Sequence, residues 1–137
     1  LSVSETYAGN IQVIDGGDRY SFKASGTLNE GRMVTLHANV IDTITVSQAA
    51  DNEETPLGYV AADWEANDYA VVYTGGIARL EDSGSGITIN TKVGCAGSGK
   101  IKTFASGTTA AVVGVALDTI SASEFGRVFV NICYQGL

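Results

Sequence analysis

The chain is short of the residues that usually announce chemistry. Its 137 residues include one histidine, one tryptophan, one methionine, one proline and two cysteines, and only 17% are charged. Each shortage excludes something. A single proline, Pro56, against 17 glycines leaves the turns to Gly, Asn, Asp and Ser. Cys95 and Cys133 make no disulfide framework and are expected as reduced, packed thiols. With His37 they are too few and too scattered for a structural zinc site. Eight Lys and Arg stand against fifteen Asp and Glu, for a formal charge of −7, and no two basic residues are adjacent. That balance argues against a nucleic-acid groove, which needs clustered positive charge. No apolar run approaches the roughly 18 residues of a transmembrane helix. The opening residues, Leu1 to Thr6, show neither the basic nor the apolar region of a signal peptide.

What is present is a matched pair of patterns. Pro56-Leu57-Gly58-Tyr59-Val60-Ala61-Ala62-Asp63 and Val112-Val113-Gly114-Val115-Ala116-Leu117-Asp118 both read as a strand interrupted by glycine. Glycine in such a place marks a bulge or a close backbone approach. Each is followed by an alternating segment, Tyr69 to Tyr73 and Arg127 to Asn131. Upstream, Gly16-Gly17 precedes Tyr20 to Ala24, and Gly75-Gly76 precedes Ile77 to Leu80. The offset is 59 residues from Gly16 to Gly75 and from Val34 to Val93, and 56 from Gly58 to Gly114. Two copies are too few for a solenoid, so they read as halves of one small domain.

Turn signals recur every eight to twelve residues, and no segment holds a 3.6-residue period over three turns. The fold class expected is therefore all-β, a small sandwich or partly closed barrel of about ten short strands built from two related halves. Residues 1–15 read as an N-terminal arm. Residues 16–137 read as a single β domain with an internal repeat, 16–74 and 75–137. The strand around Met33 to Ala38 and the strand Val112 to Leu117 are apolar on both faces, which places them inside the assembly.

Signatures of catalysis and of ligand binding are weak. His37 lies on a strand pattern with no nucleophile or acid assigned to it. Gly94-Cys95-Ala96-Gly97-Ser98-Gly99-Lys100 looks like a phosphate loop, but Ile101 follows where Ser or Thr is required, and no helix follows. It reads as a hairpin. The acidic residues of 51–54 and 63–68 lack calcium-loop spacing and read as solvated loops. Trp64 and Tyr69 sit by a loop where they can stack on a sugar, although a lone Trp in such a place is more often a lid on the core. No catalytic, cofactor or metal residue is assigned, and the chain is read as a non-enzyme. Strand faces rich in Thr, Ser and Asn suit packing against a second copy.

The succession Gly76-Ile77-Ala78-Arg79-Leu80, Asn90-Thr91-Lys92-Val93, Gly99-Lys100-Ile101, Val113-Gly114-Val115-Ala116-Leu117-Asp118 and Arg127-Val128-Phe129-Val130 resembles the small β-rich decoration, or cement, proteins of tailed-bacteriophage capsids. Gly31-Arg32-Met33-Val34 and Pro56 to Val60 repeat it more loosely, so the likeness covers residues 16–134. The long linker from Asp42 to Thr55 and the N-terminal arm depart from the pattern. The resemblance implies a non-enzymatic virion protein on the outer surface of the expanded head. It implies the major capsid protein as partner, a homotrimer on the capsid, no membrane or nucleic-acid partner and no cofactor. Leu1, Val3 and Tyr7 are the capsid-contact candidates, on an arm able to add a strand to a neighbouring sheet. The alternative is a carbohydrate- or receptor-binding β module of a phage tail or fibre.

Overall fold

The computed structural model describes residues 13–16, 18–40 and 43–134. They are all-β. The strands in chain order are β1 (Val13–Gly16), β2 (Arg19–Ala24), β3 (Arg32–Val40), β4 (Thr43–Gln48), β5 (Pro56–Val60), β6 (Tyr69–Tyr73), β7 (Gly75–Glu81), β8 (Lys92–Cys95), β9 (Ile101–Thr103), β10 (Val112–Ala116) and β11 (Phe125–Cys133). A 3-10 turn, Gly97–Gly99, joins β8 to β9.

Strands β2 to β6 close into a barrel in the order β2-β4-β3-β5-β6. Strands β7 to β11 form a sheet in the order β7-β11-β10-β8-β9, with β1 added beside β7. These are one topology used twice, β2 to β6 matching β7 to β11 in turn. The barrel closes through a parallel contact, Lys23 opposite Thr45 and Ala24 opposite Val46. The second half keeps that closure as one parallel bridge, Asp82 to Ile101.

The match extends to single hydrogen bonds. Leu28 and Trp64 exchange backbone N–H donations to each other's carbonyls at 2.9 and 2.8 Å, and Ile87 and Ile120 do the same at 2.8 and 2.7 Å. The Gly31 N–H donates to the Val60 carbonyl as the Asn90 N–H does to Ala116. Gly31 and Asn90 are both left-handed, at φ 74° and 66°. The equivalent residues lie 59 apart from Leu28 to Val34 and 56 apart along β5 and β6, as the sequence offsets indicate. Along β2 and β7 the offset is 58, because Lys23 pairs with Tyr69 where Glu81 pairs with Phe125. The turn Asp82 to Ile87 thus holds one residue more than Ala24 to Leu28.

The two glycines that mark the repeat are close backbone approaches. A Cβ on Gly58 would collide with the Tyr73 carbonyl, and one on Gly114 with the Phe129 carbonyl. Register shifts lie next to both, between Val34 and Thr35 on β3 and between Val112 and Gly114 on β10.

Two cores result. Ala24, Leu28, Val34, Val46, Val60, Ala70 and Val72 fill the barrel. The larger core of the second half also takes in Met33, Ala49 and Tyr59 from the first. This is why β3 and β5 are apolar on both faces: Val34 and Val60 face their own barrel, while Met33 and Tyr59 cover the other half. Fully burying side chains of this size stabilises by roughly 1.5–3 kcal/mol each.

Candidate interaction surface

Leu1, Val3 and Tyr7 lie outside the described residues. Of the segment read as an arm, residues 13–15 belong to strand β1, which runs on to Gly16 antiparallel to β7, with Val13 opposite Ala78 and Gly16 opposite Gly76.

The residues considered for chemistry are dispersed. His37 is exposed on β3 at a register shift and lines a shallow depression with Leu36, Ala38 and Ile44. Gly94 to Lys100 is a hairpin turned by two left-handed residues, Ser98 at φ 59° and Gly99 at φ 75°, and closed by the Ala96 N–H donating to the Lys100 carbonyl at 2.7 Å. Gly99 packs where a Cβ would meet the Met33 carbonyl at 2.6 Å, so this turn is a contact between the halves. Trp64 packs against the barrel core as a lid, and Tyr69 stands exposed at the start of β6. Among the described residues no group of three or more His, Cys, Asp or Glu is placed to hold a metal ion.

The acidic linker is exposed, as expected of a solvated loop, and it is also tied down. Asp51 accepts from Lys102 Nζ at 2.7 Å, Glu54 from Thr109 Oγ1 at 2.8 Å, and the Asn52 N–H donates to the Cys95 carbonyl at 3.2 Å. The loop is a strap tied to the second half. Its charge reaches Cys95, which is buried and free. Burial first, then Glu53 and Asp51, push the Cys95 thiol up to about 12. Cys133 is free and exposed.

A polar clasp completes the contact between the halves. Arg32 donates to Glu81 Oε1 from Nε and Nη2 at 3.1 and 2.9 Å, and from Nη1 to the Ser98 carbonyl at 2.9 Å. Lys100 Nζ stands 3.5 Å from the other Glu81 oxygen. Phe125, with the Arg79 guanidinium 5.3 Å over its ring, reaches Gly31, where a Cβ would sit 2.5 Å from it. Tyr59 donates to the Gly75 carbonyl at 2.7 Å and stacks on Tyr73 at 5.5 Å.

What remains open is apolar surface. Among the described residues, the large hydrophobic side chains left exposed are Tyr20, Leu36, Ile44 and Tyr69 on the first half and Ile89, Leu117, Phe129 and Tyr134 on the second. Two depressions meet at Ile44 on the barrel. One is lined by Ser21, Phe22, Lys23, Thr43, Ile44 and Tyr69, the other by Leu36, His37, Ala38 and Ile44. Strand alternation assigns Tyr20 and Leu36 to apolar faces and does not reveal that those faces are uncovered. Their counterparts in the second half, Ala78 and Cys95, are buried. On the second half an exposed pair sits beside Leu117: Arg127 donates to both Asp118 oxygens, at 2.9 and 2.6 Å. The Arg127 hydrogen bond holds the Asp118 carboxyl below its usual range.

No protein-family model matches the chain, and no curated protein matches its sequence. Among solved structures, the fold is similar to the N-terminal base of the head fibre protein gp8.5 of bacteriophage phi29. The TM-score is 0.66 at 18% identity, over 83% of this chain and 93% of that one.

Proposed function

We propose that this chain is a non-enzymatic structural protein of a phage virion that binds the outer surface of the expanded head. The observation that carries this reading is the likeness to a head-fibre base over most of both chains. The order of Gly- and Val-rich motifs supports it independently, through the resemblance to capsid decoration proteins. In this reading the partner is the major capsid protein, the protein acts as a homotrimer, and it stabilises the head by bridging capsid subunits. Weak contacts made by several copies at once add through effective concentration. Leu1, Val3 and Tyr7, ahead of β1, supply capsid contacts by adding a strand to a neighbouring sheet.

Quantitative mass spectrometry of purified particles, against the major capsid protein, tests the reading. A ratio near one to one is expected for lattice-wide decoration, and deletion of residues 1–12 is expected to lower it. Complete absence from particles overturns the reading. A handful of copies per particle shifts it to a carbohydrate- or receptor-binding module of a tail or fibre. The exposed ring of Tyr69, lining a depression with Phe22 and Ile44, favours that second reading. Trp64 does not serve it, because its ring packs on the barrel core.

A further inference from the structure

The sheet of the second half turns one face inward and leaves the other bare. Ala78, Leu80, Val128 and Val130 point into the core, which also receives Met33, Ala49 and Tyr59 from the first half. The alternate residues point the other way. In one row across four strands, Ile77 lies opposite Phe129, Phe129 opposite Val115, and Val115 opposite Lys92. In the next row Arg79 lies opposite Arg127, and the Leu117 N–H donates to the Arg127 carbonyl at 2.9 Å. Phe129, Leu117, Arg127 and Lys92 are exposed, and Ile77, Val115 and Arg79 are half-buried.

Folding does not account for the charges on this face. Like charges directly opposite each other on neighbouring strands are destabilising, yet Arg79 and Arg127 form such a pair. Their counterparts in the first half, Ser21 opposite Val71, are uncharged, so the shared topology does not call for cations there. Arg127 is paired with Asp118 at 2.6 Å. Arg79 lies 5.3 Å over the Phe125 ring, and neither it nor Lys92 has an ion pair among the described residues. The balance of charge is also reversed. The chain has eight basic residues against fifteen acidic ones. On this face Arg79, Lys92 and Arg127 stand against Asp118 and the β1 position of Asp15, opposite Ile77. Glu81, one row further along β7, is already taken by Arg32 and Lys100.

We propose that this outer face of β7, β11, β10 and β8 binds a segment of a partner protein that carries carboxylates beside apolar side chains. The carboxylates meet Arg79 and Lys92, which lack an acidic partner, and the apolar side chains cover Phe129, Val115 and Leu117. Arginine and aromatic residues dominate the energetics of protein interfaces, and here they alternate along one strand as Phe125, Arg127 and Phe129. A nucleic acid does not fit, because half of the face is apolar and a chain of net charge −7 repels a polyanion. The proposal rests on the virion reading, in which the partner is the major capsid protein, and adds a second contact to the one assigned to residues 1–12. The apolar contacts supply most of the affinity, and the cations set register and the rate of association.

Binding of the full chain to purified particles made without it tests the proposal. The wild type is expected to bind, and to bind more weakly as salt rises from about 0.1 M to about 0.5 M. Arg79→Glu with Arg127→Glu should weaken binding about tenfold or more, and so should Phe129→Ala. Lys92→Glu, at an exposed side chain that serves no contact within the chain, should weaken it several-fold and covers the case in which the double variant melts early. Lys23→Glu places the same charge change on the barrel and should leave binding unchanged. Variants of the face that bind like the wild type overturn the proposal, and so does a loss as large in Lys23→Glu as in Lys92→Glu, which would reflect net charge alone. Face variants that bind particles normally but lose self-association in sedimentation also overturn it and assign the face to a second copy. A loss that vanishes when residues 1–12 are deleted overturns it too, and assigns the face to those residues. A wild type that fails to bind fails the virion reading, and the proposal falls with it; a wild type that binds as well as its face variants do fails the proposal alone.

Discussion

The two halves run the same strand order but are held shut differently. The first closes through a two-residue parallel ladder, and its interior is filled by its own side chains. The second closes at one bridge, and its interior is completed by Met33, Ala49 and Tyr59 from the first. At the closure the first half has Ala24, and the second has the buried carboxylate of Asp82. Asp82 Oδ2 accepts from the N–H groups of Gly84, Gly86 and Ser123 at 2.9, 2.9 and 3.1 Å. The one-residue-longer turn creates donors that the shorter turn does not have, and the carboxylate satisfies them. In the first half the Asn67 N–H donates instead to the Ala24 carbonyl at 2.8 Å. A duplicated topology therefore tolerates different closures, provided that each buried N–H finds an acceptor.

The sharpest test of equivalence is the glycine pair. Gly58→Ala and Gly114→Ala each drive a Cβ into the carbonyl of the neighbouring strand. Each should cost about 3 kcal/mol or more in urea unfolding, since backbone cannot move aside as a side chain can. If one is tolerated and the other is not, the glycines do not play the same part.

Asp82→Ala probes what differs. It leaves three donors without their acceptor and should cost about 2–4 kcal/mol, less where water enters the turn. Ser123, Gly84 and Gly86 amides should then lose hydrogen-exchange protection, while Asn67 keeps its own. Loss at Asn67 as well would mean that the halves do not respond separately.

The strap over Cys95 has no counterpart in the first half, and its effect is visible at alkaline pH. The unfolded thiol ionises near pH 8.5–9, but the folded one only near 12. Between those values the folded state holds the extra proton, so stability falls with rising pH, by about 1.4 kcal/mol per unit at most. Cys95→Ala should remove that slope. In the wild type at pH 8, Cys133 should react quickly with iodoacetamide and Cys95 only on unfolding. Equal reaction rates would contradict the burial of Cys95.

The smallest effect belongs to Asp118 and Arg127. The depressed carboxyl contributes stability that is present above its ordinary pKa, about 3.9, and is lost as pH falls through the lower folded value. The pair is exposed, so screening leaves little of it. Asp118→Asn should flatten the acid limb of a melting-temperature profile slightly and change nothing at pH 7. A clear loss at pH 7 would show that the carboxylate does more than pair with Arg127.

Much of this was legible in advance. Apolar alternation and recurrent turn residues specify short strands, and the recurrence of Gly58 and Gly114 in one setting specifies two related halves. These are local properties, written within a few residues of where they act. The hairpin at Ser98-Gly99 and the lid at Trp64 are local in the same way. The acidic linker is exposed as its composition indicates, but a charged loop has the same composition whether or not it also ties to Lys102 and Thr109.

What the chain alone determined is thus the unit: an all-β motif of five strands, made twice, with a glycine at each close approach. Only the tertiary structure decided that β1 joins β7 and that Met33 and Tyr59 serve the second half rather than their own. It also decided that Arg32 clasps Glu81, and that Tyr20, Leu36 and Phe129 stay exposed. The reason is the range of the interactions. Alternation orients a side chain toward one face of a strand, but what covers that face is set by residues tens of positions away. Neither Tyr20 nor its buried counterpart Ala78 carries a local mark of which will be covered.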